Sequence, residues 1–295
     1  MELFDVLKVR AGIPVEDPMA MLFGRKRNAY DETKIAAALL DASGQPTSTI
    51  TNFTTIADAK TFLSGRYSDN QTKNERYHVN IGSQSGITTI ENQGFGNVDN
   101  LVSIRIPEQI TSAGTLAFNS CDNLKTVIIE NPSMTLGEQM FRSCGELVNI
   151  TLPENITSIP QYCFQGCFKL ADISIPSGVT SIGSYAFKST AITSVVIPSG
   201  VTELKGSTFN QCTSLTSVTL PNTLTKISAY DFEHCDVLPS ITIPSSVTQI
   251  WQNAFNLCAN LTTITVQKAE GSIASSPWGA TNATVIWTGN SSDQT

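Results

Sequence analysis

The sequence predicts a β-rich solenoid of about eight 23-residue coils, preceded by a small helical N-terminal region and closed by a C-terminal cap. Three observations predict it. Phe95, Phe118, Phe141, Phe164, Phe187, Phe209, Phe232 and Phe255 are spaced by 23, 23, 23, 23, 22, 23 and 23 residues. An L-x-x-I-x-I phrase recurs in step with them, as in Leu101-x-x-Ile104-x-Ile106 and Leu261-x-x-Ile264-x-Val266. A proline closes that phrase in six coils: Pro107, Pro153, Pro176, Pro198, Pro221 and Pro244. Self-similarity at a fixed period of 20–50 residues marks a chain that stacks one supersecondary unit on itself.

From the N-terminus, residues 1–27 are amphipathic and end in the basic trio Arg25-Lys26-Arg27. Asp31 is placed to cap a helix running through Leu40, with Ile35, Leu39 and Leu40 on one side and Gly44 past its end. A second short helix is expected from Asp58 to Ser64, closed by Gly65, and the polar stretch 66–76 reads as a loop. Tyr77 to Ile81 has strand character, and Ile87 and Ile90 match the return side of a partial coil.

Within each coil the period-2 ending of L-x-x-I-x-I is that of a short strand with one buried face. Proline has no N–H to give a ladder, so it marks the strand's end. A second apolar pair follows, such as Val179 and Ile182 or Val247 and Ile250, and forms the return side. One such unit cannot bury its own apolar residues, whereas stacked units share one core. At ~4.8 Å between strands, the coils build a rod of about 35–40 Å. The pattern is lost after Val266, where Pro277, Trp278, Ile286 and Trp287 are expected to cover the last coil. The expected division is 1–76 for attachment or capping, 77–266 for the solenoid, 267–289 for the C-terminal cap and 290–295 for a disordered tail.

Phrases such as IPSGVTSIGSYAFKS (175–189) and LPNTLTKISAYDFEHC (220–235) resemble the BspA-type leucine-rich repeat, over residues 81–266. The coil after Phe118 departs from it, its proline displaced to Pro132. The resemblance implies a right-handed leucine-rich-repeat solenoid of a kind found in surface and secreted proteins of bacteria, some protozoa and some phages. The opening LFDVLKVRAGI resembles the starts of small structural proteins in phages of gut bacteria.

Lys plus Arg number 18 against 25 Asp plus Glu, a net charge of −7, and charged residues are only 15% of the chain. An acidic, charge-poor rod lacks the clustered cations that nucleic acid requires. No stretch has the roughly 18 apolar residues of a transmembrane helix. Glu2, Asp5, Lys8 and Arg10 break any signal-peptide core, so no secretory signal is expected. Virion or cell surface is the favoured location, with cytoplasm the alternative.

Six of the seven cysteines fall three residues after a repeat Phe (Cys121, Cys144, Cys167, Cys212, Cys235, Cys258), and the fifth coil has Thr190 there. Recurrence in one slot points to compact thiols filling a coil corner. One oxidised pair involving Cys163 is the alternative. Metal-ligand spacing is missing, and neither a cofactor nor a metal is expected. Of the two histidines, His78 and His234, the latter is expected to face solvent with no Asp or Glu placed to orient it, and no catalytic residues are assigned. The chain is expected not to be an enzyme.

Function is expected on the outward residues of the strand side. The candidate ligand-binding residues are Arg105, Thr126, Asn149, Thr151, Asp172, Ser174, Ser217, Thr219, Thr242 and Thr265, two adjacent hydroxyl-rich ladders. They suit a protein or glycan surface, with residues 1–76 attaching the rod to a larger assembly. A row of Tyr162, Tyr185 and Tyr230, each two residues before a repeat Phe, is a separate corner that is expected to pack on itself. An intracellular scaffold using the solenoid for protein–protein contact is the alternative function.

Overall fold

The computed structural model describes residues 30–69, 71–72 and 74–289. The amphipathic stretch 1–27 with its basic trio, and the tail 290–295, lie outside the described residues. The chain is a β-solenoid of about nine turns of ~23 residues, with one helix among the described residues, near the N-terminus.

The N-terminal region departs from the expected helical pair. Residues 31–40 form no helix: β1 (Ile35–Leu40) pairs antiparallel with β2 (Pro46–Phe53) on one side and with β3 (Tyr77–Ile81) on the other. Alanine favours helix in isolation, but a strand covered by neighbours tolerates only small or apolar side chains. Ala36, Ala37 and Ala38 are fully buried there, and tertiary packing overrides propensity. The hairpin turn is built by Asp41, whose Oδ1 accepts the N–H groups of Ser43 at 2.8 Å and Gln45 at 3.0 Å. Gly44 takes the left-handed φ of +81° that the turn needs.

The helix α1 (Ile56–Ser68) is longer than expected and runs through Gly65. Thr55 caps it: its Oγ1 accepts the N–H of Asp58 and donates to the Asp58 carboxylate at 2.7 Å. Ile56, Ala59 and Leu63 face the core.

From β3 onward the chain winds. The return strands are β4 (Thr89–Ile90), β6 (Ser112–Ala113), β9 (Ser158–Ile159), β10 (Ser181–Ile182), β13 (Lys226–Ile227) and β15 (Gln249–Ile250). The front strands are β5 (Leu101–Ile106), β7 (Thr126–Ile129), β8 (Asn149–Ile150), β11 (Ser194–Val196), β12 (Ser217–Thr219), β14 (Ser240–Ile243), β16 (Thr263–Val266) and β17 (Thr284–Trp287). From β3 through β8 the front pairing is parallel, in register from Ser103 through Thr126 to Asn149. Parallel pairing resumes in β11–β12 and again in β14–β16–β17. The front ladder is interrupted at residues 172–175, which form no strand.

The core is one continuous cluster from Ile35 to Ala280. Its spine is the eight repeat phenylalanines, all fully buried, with neighbouring ring centroids 5.4–5.6 Å apart and planes within 2–11° of parallel. At the C-terminus Trp278 is 1% exposed, and its carbonyl accepts the N–H of Phe255 at 3.1 Å as a further coil's would. Trp287 packs edge-on to Trp278, while Ile286 is 45% exposed.

Candidate recognition surface

Of the ten expected outward residues, all but Arg105 reach the surface. Asn149, Asp172, Ser174, Ser217, Thr219 and Thr242 are exposed, and Thr126, Thr151 and Thr265 are partly so. Parallel register places Ser194 beside Ser217 and Ser240 beside Thr263, while Thr242 lies beside Thr265. Asn149 Nδ2 donates to Thr126 Oγ1 at 3.4 Å.

Arg105 leaves this strip. It is 7% exposed and its guanidinium donates twice to Glu130, Nε to Oε1 and Nη2 to Oε2, both at 2.8 Å. Nη1 donates to Asn80 Oδ1 at 3.1 Å and lies 3.8 Å from Glu32. Those acceptors come from β3, the segment before β1 and the residue after β7, so the arginine ties side chains across the one sheet, β2-β1-β3-β5-β7-β8, that joins the N-terminal strands to the first coils. His78 lies in the same region, fully buried, with Nδ1 2.9 Å from Ser103 Oγ. Burial pushes its pKa down to about 3, which keeps the ring neutral.

The Phe corner contains a feature that strand patterns do not reveal. The residues two before and two after each repeat Phe have positive φ throughout, from Gln93 (55°) and Asn97 (61°) to Asn253 (61°) and Leu257 (57°). Turning the backbone left-handed at both places sends alternate N–H groups along the rod axis. Leu116, Phe118 and Ser120 thus donate to Glu138, Met140 and Arg142 of the next coil at 2.8–2.9 Å. The tyrosines sit in this row: Tyr162 and Tyr185 stack at 4.8 Å, with Arg142 over one ring and Lys188 over the other. Tyr230 is 39% exposed.

All seven cysteines are free and buried, six of them in the slot below and Cys163 beside Phe164. Each ladder thiol donates to the carbonyl of the preceding coil's Phe, as Cys121 does to Phe95 at 3.0 Å and Cys258 to Phe232 at 2.9 Å. The thiol therefore fills volume and also satisfies a buried carbonyl. Thr190 takes over in the fifth coil, with its hydroxyl donating to its own Phe187 carbonyl at 2.9 Å. Burial raises Cys121, Cys212 and Cys258 to about 12 and pushes Cys144, Cys163, Cys167 and Cys235 well above the usual thiol range.

A notch opens where the repeat is one residue short. It has a volume of about 360 Å³ and is lined by Phe168, Ser189, Thr190, Ala191, Gln211, Thr213, Ser214 and His234. Neighbouring coils run Cys167-Phe168-Lys169-Leu170 and Cys212-Thr213-Ser214-Leu215, whereas the fifth has only Thr190-Ala191-Ile192. Phe168 is 67% exposed on one side. On the other, Ser189 Oγ donates to Gln211 Oε1 at 2.8 Å. His234 is half-exposed but not without a carboxylate: its Nδ1 lies 3.3 Å from Asp236 Oδ1. The spacing of 22 between Phe187 and Phe209 is the signal that marks the notch in the sequence.

Among the described residues no cluster of His, Cys, Asp or Glu is arranged to hold a metal, and no helix is long and apolar enough to cross a membrane.

Short parallel strands closing 23-residue coils around one aromatic stack define a leucine-rich-repeat solenoid. The chain belongs to the BspA-type leucine-rich repeat family, whose model, the BspA type leucine rich repeat region, matches residues 73–191 and 180–291. Among solved structures it is similar to a leucine-rich repeat protein from Bacteroides ovatus, 26% identical with a TM-score of 0.45, over 64% of each chain. The match thus spans less than two thirds of that protein. It is also similar to the T. pallidum leucine rich repeat protein, 26% identical with a TM-score of 0.49, over 58% of this chain and 86% of that one. A leucine rich cell surface protein from Faecalibacterium prausnitzii is 23% identical with a TM-score of 0.33, over 70% and 84%. No curated protein matches the chain. Repeats of this family and fold are typically non-catalytic.

Proposed function

We propose that the protein is a non-catalytic recognition module, contacting a protein or glycan surface through the outward face of its solenoid and displayed on a phage particle or bacterial exterior. The observation that carries this reading is the front strip. It presents Ser and Thr, exposed or partly so, in register within β11–β12 and within β14–β16, without a charged cluster. Such groups both donate and accept hydrogen bonds, and solenoids use extended faces of this kind for binding. Residues 30–76 cap the first coil: β1 pairs along the outer edge of β3, β2 pairs along β1, and Arg105 reaches Glu32 just before β1. Residues 1–29 are then left for attachment to the larger assembly.

Labelled full-length protein is expected to bind a defined subset of bacterial cells or matrix proteins saturably. Its binding should fall when Ser217, Thr219 and Thr242 are together replaced by lysine. Failure to bind any such surface, with co-purification in a cytoplasmic complex instead, replaces this reading with that of an intracellular scaffold.

A further inference from the structure

We infer that the notch at the shortened coil is a binding site for an uncharged sugar unit of an oligosaccharide, an inference that rests on the recognition reading above and gives it a place and a ligand class. The notch is built by a deletion, not by chance packing. Hydrogen bonding between coils is intact at the Phe corner on both sides of it, with Ser189 N–H donating to Asn210 O at 2.8 Å and Gln211 N–H to Glu233 O at 2.7 Å. The missing residue is therefore taken from the surface segment 190–192, and a wall recedes there. At about 360 Å³ the space falls at the small end of ligand clefts.

Its chemistry is asymmetric. In the coils from Phe118 onward, the residue after the ladder cysteine or threonine is Asp122, Gly145, Phe168, Ala191, Thr213, Asp236 or Ala259, so Phe168 is the one aromatic among them. At 67% exposed its ring is largely uncovered, an apolar face of the right size for the C–H face of a pyranose. Opposite stand groups that both donate and accept: the Gln211 amide, the hydroxyls of Ser189, Thr213 and Ser214, and the His234 imidazole. Ser189 Oγ engages Gln211 Oε1, which leaves the Gln211 amide nitrogen without a protein partner among the described residues. No Lys, Arg, Asp or Glu lines the notch, and the Asp236 carboxylate beside it is engaged by His234 Nδ1 at 3.3 Å, so the lining offers hydrogen-bonding groups in place of a free counter-charge. A neutral polyhydroxylated ring satisfies both walls.

The test is calorimetric titration of full-length protein with neutral tri- and tetrasaccharides based on glucose, galactose, mannose and N-acetylglucosamine. One class is expected to bind in the micromolar to millimolar range, with Phe168→Ala weakening it by about tenfold or more. A one-residue insertion between Thr190 and Ala191, restoring the 23-residue spacing, should abolish binding. Phe168 is exposed, so its alanine variant keeps the test decisive if the insertion misfolds. A sialylated or sulfated form of the bound sugar should gain nothing. No binding at about 10 mM, or equal binding by wild type and Phe168→Ala, overturns the inference. If cells are bound and every saccharide refused, the notch is wrong and the recognition reading stands; if neither is bound, both fall.

Discussion

Replacing Arg105 by methionine should loosen β1 to β3 against the first coils, with which they share one sheet. Methionine keeps most of the apolar stem, so the perturbation is loss of the guanidinium. That group makes two charge-assisted bonds to Glu130 and one bond to Asn80. Breaking a fully buried pair by removing one partner costs about 3–5 kcal/mol. Here the arginine side chain is 8% exposed but Glu130 is 28% exposed and can rehydrate in part, which brings the expected loss to about 2–3 kcal/mol. In a solenoid such a loss falls on one interface instead of the whole molecule. Urea denaturation should therefore show a lower midpoint, and hydrogen exchange should speed first in β1 to β3. The double-mutant cycle with Glu130→Gln should give a coupling of at least about 1 kcal/mol. A loss within about 0.5 kcal/mol of zero, or additive single mutants, would refute the assignment of Arg105 as a structural tie.

Asp231 should make stability depend on pH. It is fully buried, and although three backbone N–H groups (Gly206, Thr208 and Ser228) donate to it, burial dominates and raises its pKa from 3.8 to about 7. The folded state then holds the proton more tightly than the unfolded chain. Its contribution is fully present below pH 3.8 and lost as pH rises towards 7, by up to about 4 kcal/mol. Asp231→Asn should flatten that slope in denaturation series from pH 4 to 8, and a slope unchanged in the variant sinks the assignment. The ladder thiols, raised by burial, should resist iodoacetamide at pH 8 until urea unfolds the chain, as read by intact mass. Rapid modification of the native protein would contradict the buried slot. Leu257, with φ 57° and a side chain 54% exposed, should gain about 1 kcal/mol on replacement by glycine. Gly166, with φ +75°, should lose about that much or more on replacement by valine, and thermal melts compare the two.

The coils were legible because repetition averages over local ambiguity. Eight equivalent phenylalanines and their trailing L-x-x-I-x-I leave no competing register. The N-terminal hairpin occurs once and had no such support. Ala36-Ala37-Ala38 reads as helix by propensity, and only the pairing of β1 with both β2 and β3 makes it a strand. A signal was present nonetheless: Asp41-Ala-Ser-Gly44-Gln45 is turn chemistry, and the Thr-rich run after it suits a strand. Arg105 was misplaced for a related reason. Its alternation parity is outward, as for Thr151 and Thr242, but Glu130 and Asn80 come from neighbouring strands and enclose it. A threonine ladder also runs through the coils. Thr88, Thr111, Thr135, Thr157, Thr180, Thr202, Thr225 and Thr248 recur on the return side, where Thr111, Thr180 and Thr225 donate both N–H and hydroxyl to the carbonyl one coil back.

The corner dihedrals explain why a notch appears in the fifth coil and why it appears where it does. Two left-handed residues flank each Phe at a cost of roughly 1 kcal/mol apiece, and side-chain identity there is free, since Leu116, Tyr162, Ser207 and Asn253 share only their positive φ. Axial N–H bonds to the next coil offset that cost, so a deletion within the corner would break several bonds together. On the strand side, β11 and β12 pair in register from Ser194 to Val196, and a deletion there would turn inward residues out. The link from Thr190 to Ile192 is free of both constraints. The fifth coil is short at that link, Tyr185, Phe187 and Ser189 still donate to Gly206, Thr208 and Asn210, and the absent volume emerges at the surface beside the exposed ring of Phe168.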